Sequence, residues 1–131
     1  MGASPEPVTT ILLVDDDPAI LHTLGMRLRS AGYSVVMASD GRKAVDLAFG
    51  VMPDLIILDI NLPGRIGFSV SRMLKLDVRA RRIPILMLTA RDQEEDLRLG
   101  ALTGADAYVT KPYDPHSLLA TVRSLLEASK R

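Results

Sequence analysis

A chain of 131 residues, 47% of them apolar, is the size of one domain and can bury a substantial core. Lys plus Arg and Asp plus Glu balance at 16 each, so overall charge offers no attraction to nucleic acid or to an anionic membrane. Cys is absent, which excludes disulfides, thiolate metal sites and Cys nucleophiles, and no stretch approaches the roughly 18 apolar residues of a membrane span.

The opening MGASPEPVT lacks the basic and apolar regions of a signal peptide. The expected organisation is a flexible tail over residues 1–9, one domain over 10–127 and a short tail over 128–131, in a soluble cytoplasmic setting. In chain order, the first apolar run is Thr10–Val14 (TILLV). Asp17-Pro18 then supplies a helix cap followed by Pro at the first helical position. Ile20, Leu24 and Leu28 repeat on one stripe beside Leu21, and Gly32 ends that helix. The second run, Ser34–Ala38 (SVVMA), precedes a helix from about Arg42 to Phe49, closed by Gly50 and Pro53.

The third run, Leu55–Leu58 (LIIL), ends on Asp59, and a helix from about Phe68 to Leu76 follows. Arg79, Arg81 and Arg82 read as a solvated loop. The fourth run, Ile85–Leu88 (ILML), leads to a helix starting near Asp92, with Glu94, Glu95 and Asp96 suiting its positive end, and stopping at Gly104. The fifth, Ala107–Thr110 (AYVT), leads to Asp114-Pro115, again cap then Pro. A last helix carries Leu118, Leu119, Val122, Leu125 and Leu126 on one stripe. Strands alternating with helices predict a doubly wound α/β domain, a parallel sheet covered on both faces by right-handed crossovers. Ligands of such sheets sit beyond the carboxyl ends of the strands.

What the strands deliver at that edge is therefore informative. The first delivers Asp15, Asp16 and Asp17, the third Asp59, the fourth Thr89-Ala90 and the fifth Thr110-Lys111-Pro112. The second delivers Ser39-Asp40-Gly41, an ordinary turn and cap. Crowded carboxylates repel and need a counter-charge. Mg²⁺ answers that need, taking carboxylate oxygens, waters and phosphate oxygens. An ammonium at Lys111 and a hydroxyl at Thr89 suit phosphoryl oxygens, and the set as a whole suits phosphoryl transfer, with Asp59 placed to be the nucleophile. In isolation, an Asp at a strand end is more often a cap than a nucleophile, and Asp17 beside Pro18 is explained well as one.

The motifs ILLVDDDP, DLIILDINLPG, PILMLTA and GADAYVTKPYD, in this order over about residues 10–127, resemble the receiver domains of two-component response regulators. The resemblance implies a five-stranded parallel sheet in the flavodoxin-like order 2-1-3-4-5 with five flanking helices. It implies that Asp59 is the phosphoacceptor and that Asp15 and Asp16 are the acidic pair holding Mg²⁺, Asp16 more directly. It further implies that Asn61 offers its backbone carbonyl to the metal and that Thr89 and Lys111 contact phosphate. Tyr108 matches the switch aromatic, and the Lys111-Pro112 bond is expected to be cis. The implied partner is a sensor histidine kinase or histidine phosphotransfer domain, with a regulatory role and not an enzymatic one.

Two departures stand out. Ile66, in Arg65-Ile66-Gly67, replaces the acidic or polar residue common before that Gly, which bears on partner choice or phosphoryl lifetime. Ala107, Ser117 and Thr121 stand where receivers of winged-helix regulators carry the charges of a shared dimer face, so a mainly monomeric chain is expected. The chain ends soon after its last helix, and no output domain or direct nucleic-acid contact is expected within it. Three rivals compete. An Asp-nucleophile phosphatase usually carries D-x-D, and Asp59-Ile60-Asn61 lacks the second acid. A binding-only pseudo-receiver would not keep the whole acid, hydroxyl and Lys set. A nucleotide binder would show a Gly-rich loop after the first strand. His22 and His116 read as surface residues, and Tyr108 in an edge strand as partly packed surface.

Overall fold

The strands begin where the apolar runs begin: β1 (Thr10–Val14), β2 (Ser34–Ala38), β3 (Leu55–Asp59), β4 (Ile85–Ala90) and β5 (Ala107–Lys111). The structure is a computed structural model and describes residues 8–60, 67–90 and 104–129. Within those residues the helices are α1 (Pro18–Ser30), α2 (Gly41–Val51), α3 (Gly67–Leu76) and α4 (Pro115–Ser129). The fourth helix expected from the sequence, from about Asp92 to Gly104, falls almost wholly outside the described residues, so four helices are seen where five were expected. All strand pairs are parallel, in the order β2-β1-β3-β4-β5.

Side chains alternate across this sheet and fill two cores. Ile11, Leu13, Leu55, Ile57, Leu86 and Leu88 meet Leu24 and Leu28 of α1 and Leu118, Val122 and Leu126 of α4. Leu12, Val14, Ile56, Leu58 and Met87 meet Ala44 and Ala48 of α2 and Val70 and Leu74 of α3. β3 is buried at every residue, as a central strand covered on both faces requires. Burying each of its large apolar side chains is worth about 1.5–3 kcal/mol. On the α1 side the packing is close: a Cβ on Gly25 would collide with Met37 Cε of β2.

The caps act as their residue types dictate. Asp17 accepts from the Ala19 amide at 2.9 Å, Asp40 from the Lys43 amide at 2.8 Å, and Asp114 from the Ser117 amide at 3.2 Å. The end of α2 differs from the expectation. The helix runs through Gly50 to Val51, and Met52 takes the left-handed cap at φ 51°. Pro53 cannot continue the helix and disfavours α geometry in the residue before it, so the turn falls on Met52 despite a cost of about 1–2 kcal/mol. α4 runs to Ser129, two residues past the expected end of the domain.

Three strands also outrun their apolar runs, β3 by one residue, β4 by two and β5 by one. The ladder continues because backbone groups pair whatever the side chain: Asp59 lies opposite Leu88, Thr89 opposite Thr110, and Ala90 opposite Lys111. The 79–82 segment is not simply a solvated loop. Arg79, Arg81 and Arg82 are exposed, yet Ala80 is fully buried and the Arg79 guanidinium lies 4.9 Å from the Phe49 ring centroid.

Candidate functional site

The parallel ladder brings the ends of β1, β3, β4 and β5 to one edge, and with them the polar residues that the apolar runs deliver. Asp15 directly follows β1 and its amide bonds the Ala38 carbonyl at 3.2 Å, which holds it in line with the sheet. Its side chain is wholly buried. One carboxylate oxygen accepts the Asp17 amide at 2.9 Å, and the other accepts Lys111 Nζ at 3.0 Å. Asp59, the last residue of β3, is buried, and one of its oxygens lies 3.4 Å from the same ammonium. Asp16 is exposed, and oxygens of Asp15, Asp16 and Asp59 lie within 4.8 Å of one another. Thr89, near the end of β4, is buried in the register that follows Asp59.

Three carboxylates and one ammonium leave a local excess of negative charge. Burial opposes the Lys111 charge, but its hydrogen bond to Asp15 and the charges of Asp59 and Asp15 outweigh this and hold its pKa above the usual lysine value. Lys111 is therefore cationic at neutral pH and bridges Asp15 to Asp59. The peptide bond from Lys111 to Pro112 is cis, as the resemblance implies. The donor chemistry fits a hard divalent cation: three carboxylates, one of them exposed, with no thiolate or imidazole among them. Asn61, the remaining proposed metal-site residue, lies outside the described residues, as does Ile66.

The other residues picked out in the sequence divide. Asp17 is the N-cap of α1 and serves the helix. His22 and His116 are exposed. Tyr108 is half-buried in β5 and packs against the α2–α3 core, but its hydroxyl is buried with no hydrogen-bond partner among the described residues. Burial, and then the Asp106 charge, push that phenol's pKa up. Of the positions without dimer-face charges, Ala107 is half-buried, Ser117 Oγ bonds Asp114 at 2.9 Å and Thr121 Oγ1 bonds the Ser117 carbonyl at 3.1 Å.

Two features escaped the sequence. Tyr113 is half-buried, and its phenol is pushed up by burial and by the nearby Asp15 charge. Its place directly after Lys111-Pro112 was the available signal. Lys75 and Asp106, 31 residues apart, form an ion pair at 2.8 Å at the opposite edge of the sheet, with no local sequence signal.

Comparison with known proteins agrees with this geometry. The sequence pattern of the response regulator receiver domain matches residues 11–123. The DNA-binding dual master transcriptional regulator RpaA of Synechocystis sp. is 48% identical over 121 residues, which are 92% of this chain and 50% of that protein. The chain thus spans about half the length of this relative. A response regulator structure from Chloroflexus aurantiacus J-10-fl matches with a TM-score of 0.89 at 34% identity, over 92% of this chain and 99% of that one. The receiver domain of the sensor histidine kinase PA1611 of Pseudomonas aeruginosa PAO1 matches with a TM-score of 0.86 at 31% identity, over 92% and 99% of the two chains. That structure holds a magnesium ion coordinated in its active site cleft. The chain belongs to the response regulator receiver family.

Proposed function

We propose that this receiver is a phosphorylation switch in which Asp59 accepts a phosphoryl group from a phosphohistidine of a sensor histidine kinase or histidine phosphotransfer domain. The observation that carries the reading is Lys111 Nζ lying 3.0 Å from Asp15 and 3.4 Å from Asp59, in a cluster of three acids. A purely structural Lys at a sheet edge has no reason to bridge two buried carboxylates. In the transfer, an Asp59 oxygen forms the new bond to phosphorus. The phosphorus–nitrogen bond breaks, and its electron pair stays on the departing imidazole.

Asp15, Asp16, Asp59 and the backbone carbonyl of Asn61 would hold Mg²⁺. When bound, the ion neutralises charge on the phosphoryl oxygens. Lys111 presents an ammonium to one phosphoryl oxygen, and Thr89 donates its hydroxyl to another. Movement of Thr89 towards the phosphoryl group opens space for Tyr108, whose buried hydroxyl has no hydrogen-bond partner among the described residues in the present packing. The outcome is a population shift between two packings that remodels the face built from the helix expected over about 92–104, β5 and α4. DNA binding is named for a relative twice as long; for this chain we propose only the switch that would govern such an output.

Acetyl phosphate tests the reading. Intact-mass analysis should show one added phosphoryl group on the chain, formed only with divalent metal and absent in Asp59→Asn. Labelling that persists in that variant would move the nucleophile elsewhere.

A further inference from the structure

A second charged site lies at the opposite, amino-terminal edge of the sheet, between the turn after α3 and the end of α4. It is an open groove of about 510 Å³, lined by Lys75, Arg81, Arg82 and Asp106 on one side and by Leu125 and Ala128 on the other. We propose that this groove docks an acidic segment of a partner protein.

The charge argument comes first. Lys75 is committed: its ammonium bonds Asp106 Oδ2 at 2.8 Å and the carbonyls of Ile83 and Arg81 at 2.9 and 3.3 Å. The one acid of the groove is thereby neutralised. The guanidinium groups of Arg81 and Arg82 have no ion-pair partner among the described residues. Two full positive charges therefore face solvent from adjacent positions, on a chain whose net charge is zero.

Their support is rigid. The Arg81 amide donates to the Asp77 carbonyl at 2.9 Å while its carbonyl accepts from Lys75. Ala80 on one side is fully buried and Ile83 on the other is nearly so. The platform that carries the two arginines is thus fixed before any partner arrives, which lowers the ordering cost of binding. Arg is the residue that recognises carboxylates through paired donors, and it is favoured at interface centres.

The occupant follows from the shape and the mixed lining. Small-molecule sites enclose most of their ligand in mainly apolar walls. Here Arg81, Arg82, Ala128 and Ser129 are exposed, and the groove is open along its length. A peptide segment can set carboxylates on Arg81 and Arg82 and rest an apolar side chain against Leu125 and Ala128. The groove lies at the edge of the sheet opposite the acid cluster.

The test uses a synthetic peptide of alternating Glu and Leu, with the same peptide carrying Gln for Glu as control, titrated into the whole ¹⁵N-labelled chain. The expected result is amide shifts confined to the 79–84 turn, Asp106 and the end of α4, with the Glu peptide alone and weakening with added salt. Arg81→Glu with Arg82→Glu should lower affinity by about tenfold or more, while Arg81→Lys with Arg82→Lys, which keeps the charge but not the paired donors, should fall between that variant and the wild type. Unchanged thermal melting shows that the variants fold. Equal shifts with the Gln peptide, shifts spread over other basic surfaces, or wild-type affinity in the Glu variant would overturn the proposal. So would tighter binding of a short DNA duplex to the same groove, which would assign it to nucleic acid.

Discussion

Replacing Asp59 with Asn should stabilise the metal-free protein, although Asp59 sits at the centre of the site. Oxygens of Asp15 and Asp59 lie within 4.8 Å of each other, and at an effective dielectric of about 20 their repulsion is about 3.5 kcal/mol. Asp16 is exposed, so its repulsion of Asp59 is nearer the value in water, about 1 kcal/mol. Against these stands Lys111 at 3.4 Å, an attraction of about 5 kcal/mol on the same scale. Among the described residues these three pair terms cancel to within about 1 kcal/mol, which leaves the desolvation of a buried carboxylate, several kcal/mol before the remaining interactions of Asp59 return part of it. Asn keeps the shape without the charge. We expect a gain of about 1–3 kcal/mol in urea unfolding with EDTA present, or roughly 3 °C or more in Tm per kcal/mol. With Mg²⁺ the advantage should narrow, because a ligand of the native state stabilises the wild type more. Asp54→Asn is the control: Asp54 is exposed and accepts the Thr10 amide at 2.7 Å, so it should give no gain. A variant Asp59→Asn less stable than wild type in EDTA would refute the reasoning.

Two other perturbations follow from the same bonds. Asp106→Ala leaves the Ile85 amide without its 2.8 Å acceptor and Lys75 without its ion pair, and should cost about 2–3 kcal/mol by urea unfolding. Asp106→Asn, which keeps an acceptor oxygen, should cost less; equal losses would show that only the charge matters. At alkaline pH, Lys111, Tyr108 and Tyr113 all hold their protons more tightly folded than unfolded. Their contribution is therefore complete below about pH 10 and lost as the pH rises through the raised folded values, so the urea midpoint should fall above that point. A midpoint level to about pH 11 would contradict the assignment of these groups.

Burial explains which parts of this molecule can be read from its sequence. All five strands start where the apolar runs start, and for the central β3 and β4 entry into the sheet is also entry into the core, with Leu55 and Ile85 buried from the first residue, whereas the edge strands β2 and β5 are only partly buried. The far ends are harder to read. Asp59, Thr89 and Lys111 look like loop residues by polarity, but the backbone ladder carries them as strand. The same mismatch made them the candidates for a site, since a fold driven by burial alone would not place a carboxylate, a hydroxyl and an ammonium there. The end of α2 was misjudged for the opposite reason: Gly50 looks like a stop signal, but Pro53 decides where the helix must turn. Lys75 and Asp106 could not be foreseen at all, because their meeting depends on how α3 and β5 are set against the sheet and not on anything local to either.

The two ends of the sheet carry opposite charge for different physical reasons. At the carboxyl edge, strand ends bring Asp15 and Asp59 into burial, where they depend on Lys111 and would depend on a metal. At the amino edge, Lys75 neutralises the one acid it meets, and the arginines beside it stay in solvent, where their charge costs little to keep. Buried charge is expensive and must be balanced on the spot, so the acid cluster is suited to switching by a phosphoryl group, which alters that balance. Exposed charge is cheap and can wait for a partner, so the arginine pair is suited to docking. A single neutral total of 16 against 16 conceals both.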